Sequence, residues 1–143
     1  MSKVLGFLKC LHNVTILSMT YTHTFNITPV PASRPRVSRW STYYGKNHTK
    51  FVKEMRGMVE GLPLFTEAIK VTTVFYIKSP KTMKLEGDGG YCLKKVDIDN
   101  LEKITWDCLS GFLWIDDSQI VENYSKKYWS SNPRIEITVE NLS

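Results

Sequence analysis

The chain lacks the paired cysteines from which a disulfide framework or a thiolate zinc site would be built. Its three cysteines, Cys10, Cys92 and Cys108, are odd in number and show no C-x-x-C spacing, which excludes both and fits a reducing, cytoplasmic setting. A long apolar run is missing too. Lys9 cuts the opening apolar stretch to about five residues, below the roughly 7 to 15 of a signal peptide and far short of the roughly 20 that cross a bilayer. No membrane partner is expected. The sequons at Asn13, Asn26, Asn47 and Asn123 therefore carry no expectation of glycosylation. Internal repeats and low-complexity tracts are absent as well.

What the sequence does have is enough for one core and an uneven distribution of charge. With 143 residues and 42% hydrophobic content, a single domain is expected. The net charge of +5 favours polyanionic partners, and its location matters more than its size. "PASRPRVSRWSTYYGKNHTKFVKEM" holds Arg34, Arg36, Arg39, Lys46, Lys50 and Lys53 before its first acid, Glu54, with Trp40, Tyr43 and Tyr44 between them. Arg34, Arg36, Arg39 and Lys46 are the candidate contacts for a polyanion such as nucleic acid.

The periodicity predicts an α+β fold in the order β-α-β-loop-α-β-β: a single compact domain with a mixed β-sheet flanked by helices. "YTHTFNITPV" alternates as a strand and ends at Pro29 and Pro31. Lys46 to about Glu60 has Phe51, Met55 and Met58 or Val59 at helical spacing. "AIKVTTVFYI" is nearly continuous in β-formers and is expected at the centre of the sheet. "KSPKTMKLEGDGGYCLKK" has no period and reads as a long loop. A helix follows, with Asp99 as N-cap, Glu102 completing a capping box, an apolar stripe of Leu101, Ile104, Cys108 and Phe112, and Gly111 at its end. "QIVENYSKKYW" and "RIEITVE" read as two strands joined by a Ser-Ser-Asn-Pro turn. Met19 directly precedes the first convincing strand, so residues 1–18 are expected to be an extension outside the domain of residues 19–143.

The negative charge gathers in "VDIDNLEKITWDCLSGFLWIDD", Val96 to Asp117, with five aspartates, one glutamate and one lysine. Asp97 and Asp99 are two apart at the end of an extended run, where alternate side chains share a face. Lys103 falls one helical turn beyond Asp99, on the polar side with Asp107. Asp116 and Asp117 return after "FLWI"; only one of two neighbours can face the cluster, and Asp117 is the choice, with Asp116 as the alternative. Converging carboxylates with no histidine or thiolate beside them form a hard oxygen site for Mg²⁺ or Mn²⁺. Such an ion serves phosphodiester chemistry, with Lys103 stabilising developing charge. A second reading stands beside this one: helix cap, polar turn and surface pair, with no ion. An EF-hand is excluded, because Leu101 and Glu102 occupy positions five and six of the would-be loop.

The same residues closely resemble the signature of the RusA-type Holliday junction resolvases, D-x-D-N-L-x-K, then D-x-L-x-G, then D-D-x-Q-[IV]. Asp97, Asp99, Asn100, Leu101, Lys103, Asp107, Leu109, Gly111, Asp116, Asp117, Gln119 and Ile120 fall in register. Arg34, Pro35 and Arg36 match the family's basic R-P-R loop, so the resemblance runs from about Pro29 to Glu140. It implies a homodimeric, Mg²⁺- or Mn²⁺-dependent endonuclease that resolves four-way DNA junctions by paired symmetric cuts. It also implies Asp97, Asp99 and Asp117 as metal-binding acids and Lys103 as the catalytic lysine. Val96 departs from the pattern, standing where many relatives have proline. The competing expectations are a non-catalytic branched-DNA-binding protein and a nuclease for other branched substrates.

Overall fold

The computed structural model of the chain describes residues 3–5 and 19–142. Residues 6–18, most of the expected extension, lie outside the described residues, as does Cys10; Lys3–Leu5 form a short strand, β1. The remaining elements are β2 (Thr20–Phe25), β3 (Arg36–Val37), β4 (Thr42–Tyr43), α1 (Lys46–Arg56), β5 (Ile69–Lys78), β6 (Asp88–Tyr91), α2 (Ile98–Leu109), β7 (Ile120–Ser130) and β8 (Arg134–Asn141). They make one α+β domain with a mixed six-stranded sheet of order β1-β2-β8-β5-β7-β6, plus a separate β3-β4 ribbon.

β5 lies between β8 and β7, the central place its β-branched composition predicts. It alternates buried Ile69, Val71, Thr73, Phe75 and Ile77 with half-buried neighbours, the mark of a sheet covered on one face. Its pairing with β8 is antiparallel and with β7 parallel. β7 and β8 are therefore not a hairpin, although residues 131–133 join them directly. The link crosses the end of β5, where Ser79 N–H donates to Ser130 C=O at 2.9 Å. A local turn signal gives no warning that a third strand has inserted between the two it connects.

α1 and α2 cover the buried face. From α1 come Phe51 and Met55, and from α2 come Leu101, Ile104, Thr105, Cys108 and Leu109. Each fully buried aliphatic chain of this size contributes about 1.5–3 kcal/mol. Phe112 is excluded from the stripe, being 46% exposed beyond the helix end. α2 stops at Leu109 and Gly111 follows at φ +90°, a left-handed conformation that favours glycine. Ser110 N–H donates to Trp106 C=O at 2.8 Å and closes the last turn.

The segment expected to be a loop is partly ordered as β6, an edge strand on β7. Its sequence, Asp-Gly-Gly-Tyr, has almost no strand propensity. Side chains from elsewhere hold it. Asp88 accepts two hydrogen bonds from Arg134 and one from Ser130, and Tyr91 stacks on Tyr128 with ring centroids 5.0 Å apart.

Candidate active site

α2 presents Asp99, Lys103 and Asp107 at successive i, i+4 positions, so they spiral along its exposed face opposite the buried stripe. Asp97 takes the N-cap position in place of the expected Asp99. Its carbonyl accepts from Asn100 and Leu101 N–H at 3.2 Å each, while its carboxylate makes no capping bond. Glu102 does not close a capping box. It is drawn sideways to β7, accepting from Asn123 Nδ2 at 2.7 Å and from Ser125 Oγ. Among the described residues, the carboxylates of Asp97 and Asp99 consequently have no hydrogen-bond or ion-pair partner.

The capping box forms instead at the loop that follows. Asp116 accepts from Ser118 N–H at 2.9 Å, while Gln119 Oε1 accepts from Ile115 and Asp116 N–H at 2.7 and 2.8 Å. The Ser118 bonds hold the Asp116 carboxyl below its ordinary range. Gln119 Nε2 ties the loop to Phe65 and Glu67 carbonyls at 3.0 and 2.9 Å. Asp117 has a different anchor, accepting from the indole N–H of buried Trp114 at 2.7 Å. Trp106 packs edge-to-face on Trp114, ring centroids 6.4 Å apart, so two indoles stand behind Asp117.

Asp117 reaches Asp107 electrostatically. The Asp107 carboxyl is raised by partial burial and by Asp117, and opposed by Lys103 and His48. His48 comes from α1, and its own titration is lowered chiefly by burial. Its Nδ1 accepts from Ser33 N–H at 3.1 Å, which puts the proton of the neutral ring on Nε2. Tyr44 stacks on it at 4.2 Å. Sequence reasoning passed over His48, because nothing local signals that α1 faces α2 there. Asp107 was legible as the next step after Asp99 and Lys103.

The expected convergence of Asp97, Asp99 and Asp117 is not drawn together as a three-acid cage. Among the described residues, no three His, Cys, Asp or Glu side chains gather closely enough to hold a metal ion. Asp97 and Asp107 are separated by about 15 Å of axial rise, and Asp117, hydrogen-bonded to Trp114, acts electrostatically on the Asp107 end. On the buried side of the same helix, burial pushes the Cys108 thiol up to about 11.

The basic segment runs beside this helix. Ala32 N–H donates to Asn100 C=O at 2.9 Å, pinning the segment to the start of α2, and Ser33 Oγ accepts from Gly45 N–H at 3.2 Å. Arg34, Arg36, Arg39 and Lys46 are all exposed, and none forms a salt bridge with a described residue. Arg36 and Lys46 line one groove with His48.

Open carboxylates and a lysine stand on one face of α2, and exposed arginines lie on the segment pinned to its start. The sequence places that surface in a defined class. The profile of the family described as Endodeoxyribonuclease RusA matches residues 26–140, and the chain belongs to that endonuclease family. It is also 27% identical over 133 residues to "Uncharacterized protein YqaN" of Bacillus subtilis (strain 168), covering 80% of this chain and 92% of that protein.

Proposed function

We propose that this chain is a divalent-metal-dependent, homodimeric endodeoxyribonuclease that resolves four-way DNA junctions by paired symmetric cuts in the cytoplasm. The observation that carries it is the exposed Asp97-Asp99-Lys103 face of α2, its carboxylates left open, beside an acid-free basic segment in a member of the RusA family. No described helix is long and apolar enough to cross a membrane.

The donor set fits a hard cation. Mg²⁺ takes one or two protein carboxylates and completes its shell with water and phosphate oxygens. Two unpartnered aspartates at the start of a helix suit that partial shell better than a closed cage would. Asp97 and Asp99 would hold the ion, and Asp117, with Asp116 as the alternative, is the proposed third acid of the site, acting from the Asp107 end of the helix. When bound, Mg²⁺ or Mn²⁺ supplies Lewis-acid stabilisation of charge on the scissile phosphate. Lys103 presents its ammonium to charge developing on the leaving oxygen. Trp114 holds Asp117 in one orientation, and Arg34, Arg36, Arg39 and Lys46 grip flanking phosphates without reading sequence. A two-fold dimer would set two such sites on opposed strands of a junction that is itself roughly two-fold.

The lack of a gathered three-acid group among the described residues favours one second reading, a branched-DNA-binding protein that does not cut. Strand-resolved gels of fixed and mobile four-way junctions, with and without Mg²⁺ or Mn²⁺, separate the two. Paired symmetric nicks that require metal are expected. Junction binding without nicks in either metal would establish the second reading, and faster cutting of forks or flaps would reassign the substrate.

A further inference from the structure

The β3–β4 ribbon carries a large apolar side chain where the fold has no use for one. Trp40 is 87% exposed and Val37 80%, with Tyr43 beside them at 49%. The turn is braced. Ser38 Oγ accepts from Trp40 and Ser41 N–H at 3.3 and 3.0 Å, and Ser38 N–H donates to Ser41 C=O at 2.8 Å. The indole is thus presented on a closed turn that leaves its face free, with the Arg39 guanidinium 5.7 Å from its ring centroid.

The charge around it is of one sign. No acid occurs from Val30 to Lys53, and Arg34, Arg36 and Arg39 precede Trp40 in the same exposed segment, Arg39 lying next to the indole. A flat aromatic surface among arginines is complementary to a nucleobase with its phosphates, because stacking is indifferent to sequence and the cations offset the backbone charge. An intact duplex interior offers no free base face. A branch point does, where stacking between arms is interrupted.

We propose that Trp40 stacks on a base exposed at the branch point of the DNA junction, with Arg34, Arg36 and Arg39 holding the adjoining phosphates. The proposal rests on the junction-nuclease reading and assigns part of its preference for branched over continuous DNA to one side chain. A second copy of this chain is the rival occupant of the tip.

The test uses the full chain without divalent metal and a fixed four-way junction carrying 2-aminopurine either beside the crossover or in mid-arm. Wild-type protein should change the emission of the crossover probe and leave the mid-arm probe unaltered. Trp40→Ala should abolish that change and weaken junction binding roughly tenfold. Its affinity for covalently closed circular duplex should stay within about twofold, since the phosphate contacts remain. Trp40→Phe should keep most of the signal. An alanine variant that binds junctions and changes the probe like wild type would overturn the proposal. So would loss of self-association in sedimentation without any effect on the probe, which would give the tip to the subunit interface. If wild-type protein binds and cuts junctions with a silent crossover probe, the stacking inference alone falls. If wild-type protein fails to bind junctions at all, the functional reading falls with it.

Discussion

Asp88 and Asp99 are both exposed aspartates, yet they stand in opposite circumstances. Arg134 donates to the Asp88 carboxylate from both terminal nitrogens, at 2.9 and 2.8 Å, and Ser130 Oγ adds a third bond at 2.7 Å. Those bonds, that of Arg134 foremost, hold its carboxyl at about 2. Arg134 also reaches Glu136 at 3.0 Å and lies 3.7 Å from the Tyr76 ring centroid, so the group is closed on itself. Asp99, like Asp97, has no described partner for its carboxylate. An acid whose lone pairs are already used belongs to the fold; one left open beside a second open acid and a lysine is available to a ligand. The two regions should therefore respond oppositely to substitution.

The largest effect is expected at the open acids. Asp97→Asn and Asp99→Asn should each lower junction cleavage roughly a thousandfold or more, since several kcal/mol of charge stabilisation is lost. Junction binding and the thermal midpoint should stay at wild-type values, checked by gel shift and circular dichroism. A matching loss of stability would make these acids structural, like Asp88, and dissolve the contrast.

Lys103→Ala comes next. Cleavage should fall about a hundredfold, in the range seen when one preorganised donor to developing charge is removed. Mn²⁺ affinity should be nearly unchanged, because the lysine holds no ion. Single-turnover rates beside metal titrations separate these outcomes from a loss of binding.

The smallest effect is expected at the closed acid, and it depends on pH. The Asp88 carboxyl is depressed in the folded chain, so its stabilisation is present above about 3.8 and is lost as pH falls from there to about 2. Asp88→Asn should cost about 1 kcal/mol at neutral pH, because Asp88 itself is exposed although its Arg134 partner is mostly covered. The difference from wild type should vanish near pH 2, and cleavage at neutral pH should be unaltered. Urea unfolding at the two pH values checks the sign.

Which parts of this were legible in the sequence follows from how local the cause is. β5 and the buried stripe of α2 were readable because alternation and a 3.6-residue period are written in consecutive residues. β6 was not, because Asp88 and Tyr91 are held by Arg134 and Tyr128 from distant strands. The insertion of β5 between β7 and β8 is likewise invisible to a turn signal. Asp99, Lys103 and Asp107 were readable as one helical face, whereas His48 needed the packing of α1 beside α2. The placing of Glu102 needed β7, since Asn123 and Ser125 outcompete the helix N-terminus for its carboxylate.

The central claim is that Asp97 and Asp99 take up a divalent cation together with the DNA backbone. Its most direct test is paramagnetic resonance titration of Mn²⁺ into junction-bound protein, with Lys103→Ala as the background that slows cutting of the DNA during the measurement. Tightly bound Mn²⁺ that appears only with the junction, and disappears when Asp97→Asn and Asp99→Asn are added, is the expected result. Equal Mn²⁺ uptake by the two proteins would contradict the account.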